Sequence, residues 1–292
     1  MPLDSTMVGA STRVFTHQVD ARWLMAYAAG IGDLNPRYMD SAAGTVMAHP
    51  VFPVCLEWPV ILSSRELPGY ENVTRAEAAR GVHAAHDLHL LRTIRAGDEL
   101  HTTATVIGLE SIGPGARQMT RLDTVDARTG VLVSRTYQTG ISRGVAITGR
   151  ATEVETAPPP PEGTAGPAVN VSSIPVAPGL GNIYTECARI YNPIHSDRGF
   201  ALAAGLPDII LHGTATLALA VSRLVDQALG GDSTRVVRLG GRFRAMVLMP
   251  DTLLLTWYRV ADTVFFRVTN SEGGPAVDNG FLCVGDRAND AS

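Results

Sequence analysis

The sequence predicts an α+β protein of two similar halves, each an antiparallel sheet wrapped around one long apolar helix. Three observations predict this fold class. An Asn-Pro turn at residues 35–36 recurs at 192–193, which is 157 residues later. A second turn, at Asp98, recurs at Asp251, which is 153 residues later. Each Asn-Pro turn precedes an apolar helical stretch and then strand-like segments, and a near-constant offset over such an order indicates an internal duplication.

Residues 1–150 form the predicted N-terminal half. Residues 18–31 have apolar side chains on one helical face and end near two glycines, as helices often do. A second apolar stretch covers residues 54–62. Residues 81–145 then alternate between apolar and other side chains, with a hairpin turn at 126–130. This order predicts a meander of antiparallel strands that follows a helix.

Residues 151–168 are predicted to be a linker, because they contain four consecutive prolines among Gly, Ala and Thr. Residues 169–292 form the predicted C-terminal half, with a long apolar helix at 213–229 followed by strand-like segments. A helix that is apolar over much of its surface has to be covered, and one curved sheet can cover it. Joining the two sheets into one continuous sheet would also protect edges that otherwise stay exposed.

Composition excludes several classes of function. The net charge of −4 argues against a nucleic-acid binder. All 24 basic residues are Arg, so Schiff-base chemistry and a phosphate-loop lysine are excluded. Three widely spaced cysteines predict free thiols in a reducing compartment. The start of the chain does not look like a signal peptide and no apolar run reaches 18 residues, so we expect a cytoplasmic protein that does not enter membranes.

The most informative stretch starts with the turn Asn192-Pro193-Ile194-His195-Ser196-Asp197 and continues to Ile210-Leu211-His212-Gly213 at the head of the long helix. It resembles the MaoC-like hydratases and dehydratases, which include the (R)-specific enoyl-CoA hydratases. Their signature is an Asp two residues before Asn-Pro-x-His-x-Asp, followed by a Pro-x-Ile-Leu-His-Gly segment. The resemblance covers nearly the whole chain and implies a double hot-dog fold. It also implies a degenerate N-terminal half that helps to form an acyl tunnel, while the C-terminal half carries the chemistry.

The resemblance implies addition of water to an acyl thioester, or the reverse elimination. This chemistry needs a base for water, an acid for the α-carbon and donors for the enolate oxygen. His195 is the implied acid and base, since imidazole titrates near pH ~6.5. The backbone N–H of Gly213, at a helix N-terminus, is the implied oxyanion donor. Asn192 is expected to hold the turn through its side chain or to contact the substrate.

One position departs from the family pattern. The family's catalytic Asp falls at Ile190, a hydrocarbon, and loss of one general acid or base lowers a rate by about 10²–10⁴. The N-terminal half has the inverse defect, because Asp33 is kept and Tyr38 stands in place of the His. We do not expect Asp33 to compensate, since the two equivalent sites of the family lie apart. Glu186 is the candidate replacement carboxylate, because residues four apart share a helix face.

Two flanking residues and one set of aromatic residues are candidates for substrate contacts. Arg189 and Tyr191 border Ile190 and are candidates for binding a polar or carboxylated acyl group. Four aromatic residues of the N-terminal half either line an acyl tunnel or belong to the core: Trp23, Tyr27, Phe52 and Trp58. Four arginines of one strand-like stretch either meet the phosphates of CoA or lie on an exposed strand: Arg235, Arg238, Arg242 and Arg244.

Two classes of function stay open. The first is a hydratase, dehydratase or tailoring lyase that acts on acyl-CoA, a carrier-bound acyl thioester or a related small molecule. The second is a catalytically inactive protein of the same fold that binds a thioester or serves as a structural partner subunit. A hot-dog thioesterase is a weaker third option, because its usual acidic residue is not evident in the helix at 213–229. We expect no cofactor and no metal, and a homodimer is left open.

Overall fold

The structure is a computed structural model that describes residues 2–164, 169–288 and 290. The helices of these residues are α1 (Ala21–Gly30), α2 (Pro36–Met39), α3 (Pro53–Ser63), α4 (Arg75–Ala78), α5 (Leu180–Ala188), α6 (Arg198–Ala203) and α7 (Gly213–Leu229). The strands are β1 (Leu3–Asp4), β2 (Phe15–Gln18), β3 (Gly81–Leu90), β4 (Glu99–Ile112), β5 (Gly115–Asp126), β6 (Leu132–Arg143), β7 (Ile147–Thr148), β8 (Thr152–Glu153), β9 (Asn170–Val176), β10 (Val236–Phe243), β11 (Asp251–Val260), β12 (Thr263–Thr269) and β13 (Pro275–Val284).

One large antiparallel sheet joins the two halves. Its strand order is β2-β4-β5-β6-β3-β10-β13-β12-β11-β9, with β8 paired to β4. Read outward from the central β3–β10 pair, the two sides have the same succession of strands in chain order. A small parallel pair, β1 with β7, lies outside this sheet. The predicted continuous sheet of two repeated units is confirmed.

The two apolar helices are α3 and α7, one in each half. Most residues of α7 are buried, as the run of Ala, Leu and Val predicts. Helix α7 packs on β10, β12 and β13, and α3 packs on β2 and β4. Burial of a Leu or Val side chain contributes about 1.5–3 kcal/mol, so the covering of these helices stabilises each half. Helix α7 ends at Gly230, whose φ of 62° is the left-handed cap that glycine favours.

Two contacts show how the halves are related. In the central pair of strands, Asp87 lies opposite Gly240, which is 153 residues later. On the helical side, α1 packs on α5, and the hydroxyls of Tyr27 and Tyr184, 157 residues apart, lie 3.4 Å from each other. A residue meets its own counterpart only where an axis of twofold symmetry passes. Both offsets match those of the sequence, so the contacts support the duplication.

The start of the predicted linker lies on the N-terminal sheet. Thr152 and Glu153 pair with β4 as strand β8, so the expectation that this segment contains no element is wrong for these two residues. Glu155 accepts hydrogen bonds from Arg121 and Tyr137. Residues 156–164 have no regular secondary structure, and residues 165–168 of the linker lie outside the described residues.

Candidate active site

The Asn-Pro turn of the C-terminal half begins where α5 ends. The N–H of Ile190 donates to the carbonyl of Thr185, and the residue between helix and turn, Arg189, has a left-handed φ of 57°. In the N-terminal half the same bond joins Asp33 to Ala28 across Gly32, whose φ is 70°. Glycine adopts this conformation freely, whereas another residue is strained there by about 1–2 kcal/mol. Arg189 is therefore held in a conformation that its side chain disfavours.

His195 lies in the short 3₁₀ helix Pro193–His195 and is half-buried. Its Nδ1 is 2.7 Å from the carbonyl oxygen of Ile210. A carbonyl only accepts hydrogen bonds, so Nδ1 carries the proton in the neutral ring and Nε2 keeps its lone pair. Burial lowers the pKa of His195 to about 4, against which the bond to Ile210 acts weakly. The ring is therefore neutral near pH 7, with a basic nitrogen available at Nε2.

His212 stacks on His195, with ring centroids 3.7 Å apart. Its Nε2 lies 3.4 Å from the hydroxyl of Thr185 and 3.4 Å from the carbonyl oxygen of Ile190, and its Nδ1 has no hydrogen-bond partner among the described residues. Burial, followed by repulsion from His195, holds the pKa of His212 well below its ordinary value. His212 is thus a buried residue in direct contact with His195, a contact that the sequence did not predict.

Ile190 lies in the core and is only 5% exposed. Glu186 does not reach toward it, because α5 ends at Ala188 and the chain turns at Arg189, so the two residues do not share a helix face. Glu186 is exposed instead. The prediction of Glu186 as a replacement carboxylate is therefore wrong. Among the described residues, the histidines that approach a carboxylate within 4.0 Å are His49 and His89, and His195 is not one of them.

The turn of the N-terminal half has its polar groups inside the protein. Asp33 is 7% exposed, and its carboxylate accepts from the N–H of Asn35 and lies 3.9 Å from Nε2 of His49. His49 Nε2 also lies 3.2 Å from the hydroxyl of Ser222 on α7. Ser222 follows Gly213 by nine residues, which is about 14 Å along a helix. Asp33 is thus far from the head of α7, and the expectation that it cannot serve His195 is supported.

Gly213 is the first residue of α7, so its N–H has no acceptor within the helix. A Cβ at this position would lie 3.1 Å from the ring of Phe243, so close packing also favours glycine here. The side chain of Asn192 makes no capping bond, and the turn is held by backbone bonds. The prediction that Asn192 holds the turn through its side chain is therefore wrong, although Asn35 does so in the other half.

Two histidines of β3 lie beside this region and were not predicted as site residues. The ring of His83 is 4.9 Å from Phe243, and His86 is 5.3 Å from His83. His86 is 2% exposed, and neither ring nitrogen has a hydrogen-bond partner among the described residues. Burial lowers its pKa to about 3. The available signal was its place at an inward position of an alternating strand, between Ala84 and Leu88.

A cavity of about 500 Å³ lies between the two halves. This volume falls in the range of about 300–1,000 Å³ that small-molecule sites occupy. Trp23 and Trp58 line it, as the tunnel prediction requires, whereas Tyr27 and Phe52 are fully buried core residues and do not. Its apolar wall consists of Trp23, Cys55, Trp58, Pro59 and Leu62. Arg189 and Tyr191 border it from the C-terminal half, on either side of Ile190.

Two of the arginines of β10 and the following loop form ion pairs. Arg238 forms two hydrogen bonds to the carboxylate of Asp87, the shorter being 2.6 Å, and Arg244 lies 3.3 Å from Asp278. The phosphate-binding interpretation is therefore wrong for Arg238, whose guanidinium also donates to the carbonyls of Pro158 and Pro159.

The single sheet with one buried helix in each half defines a double hot-dog protein. Residues 164–279 match the MaoC like domain, and residues 6–136 match the FAS1-like, dehydratase domain region. The C-terminal half thus carries a MaoC-like dehydratase domain, and the N-terminal half a FAS1-like dehydratase region. None of the helices in the described part of the chain is long and apolar enough to cross a membrane.

Individual proteins agree with this assignment. The chain is 26% identical to 3-hydroxyacyl-thioester dehydratase Y of Mycobacterium tuberculosis over 283 residues, 94% of this chain and 95% of that protein. It is 33% identical to enoyl-CoA hydratase ChsH3 of the same organism over 113 residues, which span 39% of this chain and only 38% of that relative. A MaoC-like dehydratase structure from Phytophthora capsici has a TM-score of 0.82 at 21% identity, over 96% of this chain and 98% of that one.

Proposed function

We propose that the protein is a hydratase or dehydratase of acyl thioesters, and that His195 is its general acid and base. The family assignment and the names of two relatives, an enoyl-CoA hydratase and a 3-hydroxyacyl-thioester dehydratase, support the reaction class. The observation that carries the role of His195 is its bond from Nδ1 to Ile210. This bond leaves Nε2 as the basic nitrogen of a ring that is neutral near pH 7.

In the proposed hydration, the oxygen of water forms a bond to C3 of the enoyl thioester. The electrons of the C2=C3 bond move to the thioester carbonyl as an enolate, which the N–H of Gly213 stabilises. The proton of water goes to Nε2 of His195, and the imidazolium returns a proton to C2. One water is added and the histidine ends neutral. Dehydration follows the same steps in reverse, so one imidazole can serve as both base and acid.

The alternative is a protein of the same fold that binds a thioester without turning it over. The observation that favours it is Ile190, which is buried in the core where the family has its catalytic Asp. A single histidine without the carboxylate is expected to be slower by about 10²–10⁴ than a complete dyad. The two functions differ in turnover and not in binding.

The test is hydration of crotonyl-CoA and dehydration of 3-hydroxybutyryl-CoA by the wild type and by His195→Asn. Asparagine can keep an N–H for the carbonyl of Ile210 but has no group in place of Nε2. We expect slow turnover by the wild type that the variant loses while it stays folded. Tight binding of crotonyl-CoA with no turnover by the wild type would favour the inactive alternative.

The proposed setting is the cytoplasm, which agrees with three free thiols at Cys55, Cys187 and Cys283. The proposed substrates are acyl-CoA or carrier-bound acyl thioesters.

A further inference from the structure

The backbone of Arg189 is in the left-handed conformation, and its side chain makes a contact that the backbone strain does not explain. Its guanidinium carbon lies 3.9 Å from the centre of the Trp23 ring, in the geometry of a cation–π contact. Trp23 is held from both sides, because its indole N–H donates to the carbonyl of Cys187 and its ring packs edge-on against Phe52. The indole therefore supports the guanidinium at a fixed place on the wall of the cavity.

The charge of Arg189 is not neutralised within the described residues, none of which forms an ion pair with it or accepts a hydrogen bond from its side chain. Most other arginines near the sheet, such as Arg238 and Arg121, meet a carboxylate. A guanidinium stacked by its face keeps its N–H groups free along its edge, where they can meet a carboxylate with two bonds. Of the described residues that line the cavity, none is acidic.

The wall of the cavity is linked to the proposed acid–base group by the chain and by two contacts, while His195 and His212 are not themselves among the lining residues. Arg189 immediately precedes Ile190, whose carbonyl oxygen lies 3.4 Å from the ring of His212. His212 in turn stacks on His195. For an acyl chain with its double bond at His195 to reach the apolar cavity, it would have to pass Ile190. In that cavity Arg189 carries the one full charge among the described lining residues.

We propose that Arg189 selects acyl thioesters whose far end is a carboxylate, that is, monothioesters of dicarboxylic acids. This inference rests on the proposed function, since it assigns a substrate class to the same site. The apolar wall takes the methylene chain, and the guanidinium meets the terminal carboxylate. In the N-terminal half the equivalent position is Gly32, and the strain of an arginine there is compatible with a residue kept for its charge.

The direct test is a binding measurement that does not need turnover. The probes are N-acetylcysteamine thioesters of adipate and of hexanoate, which share six carbons and lack the phosphates of CoA. We expect the wild type to bind the adipate thioester about 3–10-fold more tightly, as for a two-bond charge pair at a solvent-exposed guanidinium. Arg189→Met keeps a long apolar stem and should abolish this preference. Equal affinity of the wild type for the two probes would overturn the proposal.

A matched control is Arg13→Met, because Arg13 also stacks on an aromatic ring, 4.1 Å above Phe15, but does not line the cavity. This variant should keep the full preference for the adipate thioester. If it loses the preference as Arg189→Met does, the effect is one of net charge and the proposal is wrong. If Arg189→Met weakens the binding of the CoA thioesters of both acids but leaves the binding of both short thioesters unchanged, Arg189 binds the phosphates of CoA. The carboxylate assignment is then wrong.

A kinetic comparison separates this inference from the proposed function. The substrates are the hex-2-enoyl and 5-carboxypent-2-enoyl thioesters of N-acetylcysteamine. The expected result is a loss of about 3–10-fold in kcat/KM for the carboxylated substrate alone in Arg189→Met. Turnover of neither substrate by the wild type would count against the proposed function, while the binding test would still decide the role of Arg189.

Discussion

The two halves of the chain use the same turn in different ways. In the N-terminal half, Asp33, Tyr38 and His49 are buried. The carboxylate of Asp33 accepts from the N–H of Asn35 and lies 3.9 Å from His49, whose ring also contacts the hydroxyl of Ser222. In the C-terminal half, Tyr191 is 57% exposed, His195 is half-buried, and the side chain of Asn192 makes no capping bond to its turn. The polar groups of the first turn are enclosed in the protein, whereas the second turn is partly exposed and its Tyr191 lines a cavity.

This difference shows that keeping a catalytic residue type does not keep a catalytic site. Asp33 has the family's residue but is buried beside His49, which contacts Ser222 at about 14 Å along α7 from the head of that helix. His195 lacks the family's carboxylate, yet it keeps a basic nitrogen in a turn that also contributes Tyr191 to the cavity wall. We therefore assign the proposed chemistry to the C-terminal half, and the role of the N-terminal half is to supply the cavity wall.

The largest expected effect is a difference between equivalent positions in the two halves. His195→Asn should lower turnover of crotonyl-CoA by about 10²–10⁴, because it removes the general acid and base. Asp33→Asn and Tyr38→Phe, the matched changes in the N-terminal half, should leave turnover within about threefold, since neither side chain meets the substrate in the proposed mechanism. A loss with Asp33→Asn as large as that with His195→Asn would contradict the assignment to the C-terminal half.

A second comparison separates the core from the cavity wall. Phe52 is fully buried and contacts Trp23 and Tyr27, so Phe52→Ala should lower the free energy of unfolding by about 3–5 kcal/mol. Trp58 is half-buried and lines the cavity, so Trp58→Ala should destabilise less and change the preferred acyl chain length. Urea unfolding and the relative kcat/KM for crotonyl-CoA and longer enoyl-CoA esters measure the two effects. If Phe52→Ala changed the preferred acyl chain length and Trp58→Ala did not, the assignment of Phe52 to the core and of Trp58 to the cavity wall would be reversed.

The smallest expected effect is a dependence of stability on pH. Burial lowers the pKa of His49, His83 and His195 to about 4 and that of His86 to about 3. The unfolded chain therefore binds more protons than the folded one below pH ~6.5, so stability falls as the pH drops from about 6.5 toward 4. Glu57, whose pKa burial raises to about 7, acts in the opposite direction between pH ~7 and ~4.5, but it is a single group.

Urea unfolding at pH 7 and pH 5 measures this dependence. Each fully buried histidine should contribute a loss of about 1–2 kcal/mol over this interval. His86→Phe should reduce the loss, because His86 has no hydrogen-bond partner among the described residues to lose. Stability that is flat or rises toward pH 5 would show that these histidines are not neutral in the folded protein.

The fold was predictable from the sequence because its signals are repeated and local. Alternation marks β3 to β6, and the apolar run at 213–229 marks α7. The offsets of 157 and 153 residues reappear as the Tyr27–Tyr184 contact and the Asp87–Gly240 pair. Such features depend on the residue types of one segment or on equal spacing, and both are visible in a single chain.

The site was less predictable because it depends on where segments end and what they meet. The assignment of Glu186 assumed that the helix continues to Ile190, but it ends at Ala188. The stacking of His212 on His195 joins the turn to the head of α7, and the cavity wall comes from the other half of the chain. The catalytic roles of His195 and Gly213, and the boundaries of the two halves, stay predictions.

The most direct test of the central claim, that the C-terminal half is a working site that lacks only its carboxylate, is crotonyl-CoA hydration by Ile190→Asp. In the N-terminal half the N–H of Asn35 donates to Asp33, whereas the N–H of Asn192 donates to the carbonyl of Ile190 and would have to turn toward the new carboxylate to offset part of the cost of burying it. We expect the hydration rate to rise about tenfold or more, given the ~10²–10⁴ scale of general acid–base catalysis, and to fall again in Ile190→Asp/His195→Asn. A well-folded Ile190→Asp variant whose rate does not rise would contradict the claim.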